Sequence, residues 1–388
     1  MSTITERDKE YVAGVYARFP VEIEKGKGSV VYGTDGKRYI DMGSGIGVTS
    51  FGIADDVWAE AVTAQLTTLQ HMSNLYYTSP CTELAELLCE KTGMKKVFFG
   101  NSGAEANECA IKAARKYAAE KKGADCYTIV TLKNSFHGRT LTTLAATGQD
   151  HYHELYQPLT PGFAHVDPAD GIEALEKIAP AEKIAAVMIE CIQGEGGVLP
   201  VDGAYIKALE SWCHEKDVLL IVDEVQTGNG RTGKMYSYMN FDIKPDLVST
   251  AKGLGGGLPI GAVLFGEKVE NVFAFGDHGS TFGGNPVVCA GAVSIVSRLT
   301  EEFLSEVCRK GQLLRDAFTG APGIEAVTGL GLMCGLKTTK PAGDVVKACM
   351  EKGVLCLTAK DRVRMLPALN IPDEILLEAA QVIKEACE

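Results

Sequence analysis

The feature that most constrains the fold is a regular alternation of helical segments and short apolar runs between about residue 80 and residue 270. The runs are apolar almost throughout, which is typical of strands covered on both faces. Alternating helices and strands form βαβ units with parallel strands, so we predict an α/β fold with a mainly parallel sheet sandwiched by helices. The predicted strands are Lys96 to Phe99, Thr128 to Leu132, Ile184 to Ile189, Val218 to Val222, Leu247 to Val248 and Ala262 to Phe265.

The two ends of the chain have a different pattern. Alternating apolar residues around the turn dipeptide Asp35-Gly36 predict a β-hairpin, and Val57 to Leu69 has helical spacing. The last hundred residues predict a smaller α+β domain, with a helix at Glu301 to Phe318, strands near Val327 to Leu336, a helix near Asp344 to Lys352 and a final helix with Pro372 in its first turn. We expect residues 1–50 to contribute to this small domain, 51–290 to form the large domain, and 291–388 to form the rest of the small domain.

Composition excludes several classes of protein. The 388 residues carry a formal net charge of −12, which argues against nucleic acid or an anionic membrane as a partner. The charged start is unlike a secretory signal, and no apolar run approaches a membrane span, so we expect a cytoplasmic protein. The 12 cysteines show neither CxxC pairs nor zinc spacing, so we expect reduced thiols and no metal site.

Candidate site residues follow the predicted strands, because ligands of parallel sheets bind at the carboxyl ends of the strands. Ser102, Gly103 and Ala104 lie between the first strand and an alanine-rich helix, where free backbone amides suit a phosphate group. The same residues also suit a capping box of Ser102 with Glu105, which serves only the helix. Both interpretations can hold together.

Two ionisable residues follow later strands. Asp223 ends a buried strand, where a carboxylate needs a cation, a metal or a protonated ring nitrogen, unless it lies in a solvated loop. Lys252 ends another apolar run and precedes four glycines in five residues, a backbone suited to close packing on a flat ligand. Alone, a lysine near glycines is more often an ordinary surface charge; beside a ligand, Lys252 suits a Schiff base.

Other strand ends add an aromatic residue, an arginine and a carboxylate. Phe136 can stack on a planar cofactor while Arg139 binds a substrate carboxylate, although each is common in cores and on surfaces. A further strand leads to Glu195 on a glycine-rich turn. Taken jointly, a phosphate loop, a strand-end aspartate, a stacking aromatic and a lysine are the parts needed to bind pyridoxal phosphate.

At this point the chain resembles the class III aminotransferases, which are pyridoxal phosphate enzymes of fold type I. The resemblance covers essentially the whole chain in family order. The matching motifs are Asn101-Ser102-Gly103-Ala104-Glu105-Ala106-Asn107-Glu108, Phe136-His137-Gly138-Arg139-Thr140, Gln193-Gly194-Glu195-Gly196-Gly197, Asp223-Glu224-Val225-Gln226-Thr227-Gly228, Gly230-Arg231-Thr232-Gly233, Lys252-Gly253 and Gly279-Ser280-Thr281-Phe282-Gly283-Gly284-Asn285-Pro286.

The resemblance implies a role for each residue that binds the cofactor. Lys252 would form the Schiff base and move the proton, and Asp223 would keep the pyridine nitrogen protonated. Phe136 and Val225 would pack on the two ring faces, and Gln226 would bond the phenolic oxygen. The phosphate would be held by Ser102, Gly103 and Ala104, together with Thr281 of a neighbouring subunit, so the resemblance implies a homodimer with shared sites.

The resemblance also implies how substrates bind. Arg139 would hold a distal carboxylate, and Arg364 the α-carboxylate of glutamate or 2-oxoglutarate. Glu195 would neutralise Arg364 when the ω-amino donor is bound, and Tyr16 and Ser280 would be further contacts. The expected reaction transfers the terminal amino group of N2-acetylornithine to 2-oxoglutarate, as in arginine biosynthesis.

Alternatives stay open at this point. Donors such as ornithine, succinylornithine, succinyldiaminopimelate or 4-aminobutyrate, another pyridoxal phosphate reaction and a non-catalytic relative all fit the family. The sequence also departs from the family pattern, because Phe51-Gly52-Ile53-Ala54-Asp55-Asp56 replaces a Gly-His-x-His-Pro run and Cys191 replaces a proline.

Overall fold

The computed structural model describes residues 3–388. Its helices are α1 (Ile4–Tyr11), α2 (Ser44–Gly47), α3 (Asp56–Thr68), α4 (Ser79–Thr92), α5 (Gly103–Lys122), α6 (Leu141–Ala146), α7 (Glu173–Ile178), α8 (Gly203–Glu215), α9 (Pro286–Val296), α10 (Glu301–Phe318), α11 (Ala342–Glu351) and α12 (Asp373–Cys387).

The strands follow the same chain order. They are β1 (Ile23–Lys27), β2 (Val30–Gly33), β3 (Arg38–Asp41), β4 (Lys96–Gly100), β5 (Thr128–Leu132), β6 (Phe163–Val166), β7 (Ile184–Ile189), β8 (Ile192–Gln193), β9 (Leu199–Pro200), β10 (Leu219–Asp223), β11 (Leu247–Thr250), β12 (Gly261–Phe265), β13 (Ile324–Leu330), β14 (Met333–Thr338), β15 (Val354–Leu355), β16 (Leu357–Ala359) and β17 (Arg362–Met365).

A seven-stranded sheet forms the centre of the molecule, in the order β4-β12-β11-β10-β7-β5-β6. The four pairs from β11 to β6 are parallel, and β12 runs antiparallel to both of its neighbours. The prediction of a mainly parallel sheet is therefore confirmed. The sequence prediction missed β6, whose partly buried face includes the polar His165 in a strand of only four residues.

Helices cover both faces of this sheet. The long helix α5 packs on β7, β10, β11 and β12, and its alanines allow a close approach. It begins after Ser102, whose side chain caps the first turn, and ends at Gly123. Because β4 leads directly into α5, the start of this helix lies at the carboxyl end of the sheet strands, where a ligand is expected.

A smaller α+β region combines both ends of the chain. The predicted hairpin is confirmed as β2 and β3, and β15 from the C-terminal part pairs in parallel with β3. A second sheet, ordered β13-β14-β17-β16, packs against α10 and α11. The expected final helix is α12, although Pro372 occupies its N-cap position and not its first turn.

Surface and thiol chemistry add two observations. Across residues 3–388, no helix combines the length and the apolar character needed to cross a bilayer. Every one of the 12 cysteines is a free thiol, and most are buried.

Candidate active site

A cavity of about 640 Å³ lies beyond the carboxyl ends of the central strands. Most of the predicted site residues line it, although they come from segments far apart in the chain. Those residues are Tyr16, Ser102, Gly103, Ala104, Phe136, Arg139, Glu195, Asp223, Val225, Gln226 and Lys252. Arg364 lies directly behind Glu195, whereas Ser280 and Thr281 do not line the cavity.

The start of α5 presents free backbone donors to the cavity. Ser102 Oγ accepts the Glu105 N–H at 3.2 Å, and the Glu105 carboxylate accepts the Asn101 N–H at 2.5 Å. The Glu105 side chain thus reaches one residue before the N-cap, unlike the reciprocal arrangement of a capping box. Within the described part of the chain, the Gly103 and Ala104 amides have no acceptor, so they remain available to a ligand.

Gly103 permits a close approach between this loop and the strand-end loop after β10. A Cβ atom at this position would lie 2.6 Å from Cγ1 of Val225. No larger residue fits there without displacing Val225, which also lines the cavity.

Asp223 ends β10 and is held by three donors. Its Oδ2 atom lies 2.8 Å from both Asn107 Nδ2 and His137 Nδ1, and its Oδ1 atom accepts the Val225 N–H at 2.9 Å. The side chain is only 4% exposed, and that fraction faces the cavity. His137 supplies the one ring nitrogen among these donors, and the expected cationic partner of Asp223 stays a prediction.

Glu190 is a second buried carboxylate in the cavity wall. It accepts the N–H groups of Phe136 at 2.9 Å and Gly194 at 3.1 Å. Burial raises the pKa of Glu190, His137 lowers it and the nearby Asp223 raises it, and the net pKa is about 7. Glu190 therefore ties the aromatic residue of one loop to the glycine-rich turn of another.

Lys252 has an unusual backbone conformation. Its φ angle is +45°, in the left-handed region that residues other than glycine rarely adopt. Burial lowers the pKa of Lys252, and the charge of Arg364 lowers it further, while Glu195 opposes both. The sequence interpretation placed the unusual dihedral angles on the following glycines, but the lysine itself carries one.

Glu195, Gln226 and Arg364 form a hydrogen-bonded group at one end of the cavity. Arg364 Nη1 lies 2.6 Å from Glu195 Oε1 and donates to Gln226 Oε1 at 3.1 Å. Burial raises the pKa of Glu195, but the charge and hydrogen bond of Arg364, with smaller effects of Lys252 and Gln226, together outweigh burial and leave that pKa lowered. Arg364 is 3% exposed, and its Nε atom has no partner among the described residues. The ion pair that the resemblance implied is therefore present.

Arg139 lies at the exposed mouth of the cavity. Its guanidinium is 4.9 Å from the ring centre of Tyr152 and 5.6 Å from that of Phe136. Within residues 3–388 it forms no ion pair with a carboxylate. Tyr16 lines the same mouth and is 70% exposed. A cation held by aromatic rings and free of a carboxylate is suited to binding a carboxylate ligand.

Ser280 and Thr281 occupy a loop outside the cavity of this chain. Ser280 Oγ accepts hydrogen bonds from Asn101 Nδ2 and Gly283 N, both at 3.0 Å. Thr281 is exposed. Among residues 3–388, the Ser280 side chain is linked to the phosphate loop only through Asn101, and the Thr281 side chain forms no hydrogen bond.

Sequence reasoning gave no role to three residues that the structure places in the site. Asn107 and His137 hold Asp223, and Glu190 bonds the loop of Phe136. A signal was present, because a buried aspartate requires donors and both Asn107 and His137 stand within the matching motifs. Their pairing with Asp223 depends on contacts 86 and 116 residues apart, which no local pattern shows.

The cavity fits pyridoxal phosphate. The unpaired amides at the start of α5 suit its phosphate, and the cavity-facing Asp223 suits its pyridinium nitrogen. Phe136, Val225 and Lys252 line the same cavity.

Comparison with known proteins supports the same family. Residues 11–387 match the family model described as aminotransferase class III. The chain is 50% identical to the acetylornithine aminotransferase of Haemophilus ducreyi, covering 98% of each. Its fold matches the ornithine aminotransferase of Toxoplasma gondii with a TM-score of 0.93 and 34% identity, covering 99% of this chain and 93% of that one. It also matches N-acetylornithine aminotransferase from Stenotrophomonas maltophilia with a TM-score of 0.85 and 34% identity, covering 99% and 98%. The chain belongs to the class III aminotransferases.

Proposed function

We propose that this enzyme uses pyridoxal phosphate to transfer the terminal amino group of N2-acetyl-L-ornithine to 2-oxoglutarate. The products are N-acetyl-L-glutamate 5-semialdehyde and L-glutamate, a step of arginine biosynthesis. The observation that carries the proposal is Lys252 in a cavity with free phosphate donors at one side and the Glu195–Arg364 pair at the other. The 50% identity to an acetylornithine aminotransferase supports the choice of donor.

Lys252 and Asp223 are the proposed catalytic residues. When bound, the cofactor supplies an electron sink that stabilises negative charge on the carbon next to the transferred nitrogen. Lys252 Nζ would take the proton from that carbon and give it to the cofactor carbon bonded to the transferred nitrogen. Its lowered pKa favours the neutral amine that this task needs. Asn107 and His137 orient the Asp223 carboxylate. Its negative charge would keep a proton on the ring nitrogen of the cofactor.

The other cofactor contacts are proposed from their places in the cavity wall. Ser102, Gly103 and Ala104 bind the phosphate through backbone amides and a hydroxyl. Phe136 and Val225 restrain the ring between them, and Gln226 bonds its phenolic oxygen.

Substrate binding is proposed to alternate around Arg364. For the ω-amino donor, Glu195 keeps Arg364 paired, while Arg139 and Tyr16 bind the distal carboxylate. Ser280, outside the cavity of its own chain, acts through Asn101, which lines the cavity. For 2-oxoglutarate, the substrate α-carboxylate replaces Glu195 on Arg364. One cavity thereby serves two substrates that differ in charge near the reacting carbon.

A homodimer with shared sites is proposed to complete the cavity. Thr281 would reach the phosphate bound in the partner subunit, because its side chain forms no hydrogen bond within residues 3–388 and lies on an exposed loop. Large apolar side chains are exposed near that loop, with Leu75 at 86%, Tyr77 at 101% and Phe282 at 61%. Burial of such a surface in a second copy would remove it from water.

Domain boundaries and compartment complete the proposal. We propose that residues 1–50 join the C-terminal part in the small domain, because β3 pairs with β15. A boundary at residue 290 would cut α9, which packs on α3 and α4 of the large domain, so we place the second boundary after Val296. The proposed compartment is the cytoplasm, which suits 12 free thiols.

Absorption spectroscopy and turnover test the cofactor chemistry. Purified protein with pyridoxal phosphate should show an absorbance band at roughly 400 to 430 nm, and Lys252→Ala should lose both the band and turnover. Lys133→Ala is a matched control, because Lys133 is exposed and does not line this cavity. A Lys252→Ala variant that still turns over would refute the proposal.

A donor panel tests the substrate. Acetylornithine, succinylornithine, ornithine, succinyldiaminopimelate and 4-aminobutyrate should be compared by kcat/KM with 2-oxoglutarate as acceptor. Acetylornithine should rank first. Turnover without any keto acid would indicate another pyridoxal phosphate reaction, and the absence of any half-reaction would indicate a binding protein; either result overturns the proposal.

A further inference from the structure

Arg231 is a fully enclosed arginine outside the catalytic cavity. It is 2% exposed, and its Nη1 atom donates to the carbonyl oxygens of Leu332 at 3.0 Å and Pro367 at 2.5 Å. In the described part of the chain it forms no ion pair, and burial lowers its pKa although Asp41 opposes this. A buried guanidinium bonded only to carbonyls costs free energy, so its position calls for a reason.

The loop that carries Arg231 is bonded to the strand before Lys252. Asn229 Nδ2 donates to Thr250 Oγ1 at 2.9 Å and to the Ala251 carbonyl at 3.1 Å. A Cβ atom on Gly253 would meet Cβ of Asn229 at 3.4 Å, so this loop also packs behind the lysine. One side of the loop therefore restrains the backbone around Lys252.

The other side of the same loop restrains the strand of Arg364. Pro367 follows β17 by two residues and Arg364 by three. Leu332 N donates back to the Arg231 carbonyl at 3.0 Å, and the strand after Leu332 pairs with β17 through Gly335 and Arg364. The Arg231 backbone and side chain thus hold two adjoining segments of the small-domain sheet.

We propose that Arg231 is a positioning residue that fixes the distance between Lys252 and Arg364, and so sets the affinity for the dicarboxylate acceptor. This inference rests on the proposed role of Arg364. A guanidinium can donate to two carbonyls in a fixed direction, whereas a lysine ammonium at the end of a flexible chain cannot reproduce both bonds. Arg231 touches no substrate and acts only through the strand it holds.

Binding of glutarate, a dicarboxylate that cannot react, tests the inference without turnover. Calorimetry on the holoenzyme should show roughly tenfold to hundredfold weaker glutarate binding in Arg231→Lys, because lysine loses one of the two hydrogen bonds that the charged guanidinium donates to carbonyl oxygens. Asn229→Gly tests the other side of the link, because glycine keeps the positive φ of Asn229 and removes both side-chain bonds. It should weaken glutarate binding in the same direction.

Arg298→Lys is the matched control. Arg298 is also partly buried, but it forms a bidentate pair with Asp55 away from β17. The glutarate affinity of the Arg298→Lys variant should stay within about twofold of that of the parent protein, a change of the size expected for an ordinary surface substitution. Pyridoxal phosphate affinity should change little in all three variants.

Hydrogen exchange separates this inference from the proposed function. Amides of residues 362–366 should exchange faster in Arg231→Lys and Asn229→Gly than in Arg298→Lys, even in a protein that transfers no amino group. Equal glutarate affinity in all variants, or weakening that is equal in Arg298→Lys, would overturn the inference. Absence of amino transfer by the parent protein would overturn only the proposed function.

Discussion

Replacing Glu195 by glutamine should convert Arg364 from a paired residue into one that is always open to a carboxylate. The Glu195 carboxylate lies 2.6 Å from Arg364 Nη1 and is the only acidic partner of that guanidinium among the described residues. Glutamine keeps the size of the side chain and removes its charge. The change therefore addresses the competition between Glu195 and the substrate α-carboxylate for one cation.

The size of the effect follows from the geometry. Arg364 is nearly enclosed, whereas the Glu195 side chain is 26% exposed. Solvent screening therefore makes the free energy of this ion pair smaller than that of a fully buried pair. A hydrogen bond to a charged group contributes about 1.5–3 kcal/mol, which corresponds to a roughly tenfold to hundredfold change in an equilibrium constant. Glu195→Gln should therefore bind 2-oxoglutarate more tightly by up to about tenfold, and the amino donor more weakly by a similar factor.

Single half-reactions provide the assay, because each uses one substrate at a time. Apparent dissociation constants for the amino donor and for 2-oxoglutarate should be measured from the cofactor spectrum in separate stopped-flow experiments. Glu190→Gln is the matched control: Glu190 lines the same cavity but bonds backbone amides and not Arg364. It should leave the ratio of the two constants near its parent value.

The opposite result would refute the reasoning. If Glu195→Gln weakened 2-oxoglutarate and left the donor unchanged, Glu195 would be a partner that orients Arg364 and not its competitor. If both Gln variants changed the ratio equally, the effect would come from the total charge of the cavity. Either outcome would contradict an alternating role for Glu195.

Three further predictions concern stability, the cofactor and the subunit contact. The folded-state pKa of Glu190 is raised, chiefly by burial, to about 7 from its ordinary value of 4.5, so the folded state holds a proton that the unfolded chain has lost. Stability should therefore fall as pH rises from about 4.5 to 7, by up to about 3 kcal/mol. Urea unfolding should show this slope in the parent and not in Glu190→Gln; an equal slope in both would contradict it. Gly103→Ala should weaken pyridoxal phosphate binding at least about tenfold in equilibrium dialysis, because the added Cβ displaces Val225. Gly343→Ala, which has open space at its Cβ, should leave this binding unchanged, and equal affinities in the two variants would contradict the steric argument. Thr281→Ala should weaken the cofactor only in the dimer, and an unchanged affinity at concentrations where sedimentation shows dimers would contradict the shared site.

The central sheet was predictable because its signal is local. Runs such as Ile184 to Ile189 are apolar at every position, so burial on both faces follows from the residues alone. The antiparallel direction of β12 was not predictable, because it depends on how the chain returns between β11 and β4. The strand Phe163–Val166 escaped prediction for a related reason, since His165 owes its position to Thr131 on the neighbouring strand.

The site residues also differ in whether local sequence could predict them. Lys252, Asp223 and the phosphate loop follow strands and are visible in short stretches of sequence. The pairing of Arg364 with Glu195 spans 169 residues, and the sequence indicated it only through family resemblance. The left-handed φ of Lys252 has no local signal at all, because lysine does not favour that conformation and the surrounding packing imposes it.

The charge arrangement of the cavity gives a physical reason to expect an acylated donor. At the inner end, Arg364 is already paired with Glu195, so the donor need not bring a carboxylate there. At the mouth, Arg139 is exposed, flanked by the rings of Phe136 and Tyr152. A donor with a free α-ammonium beside its carboxylate would place a positive charge near that guanidinium. Acetylation removes this charge and leaves the carboxylate, so like-charge repulsion alone favours acetylornithine over ornithine at this mouth.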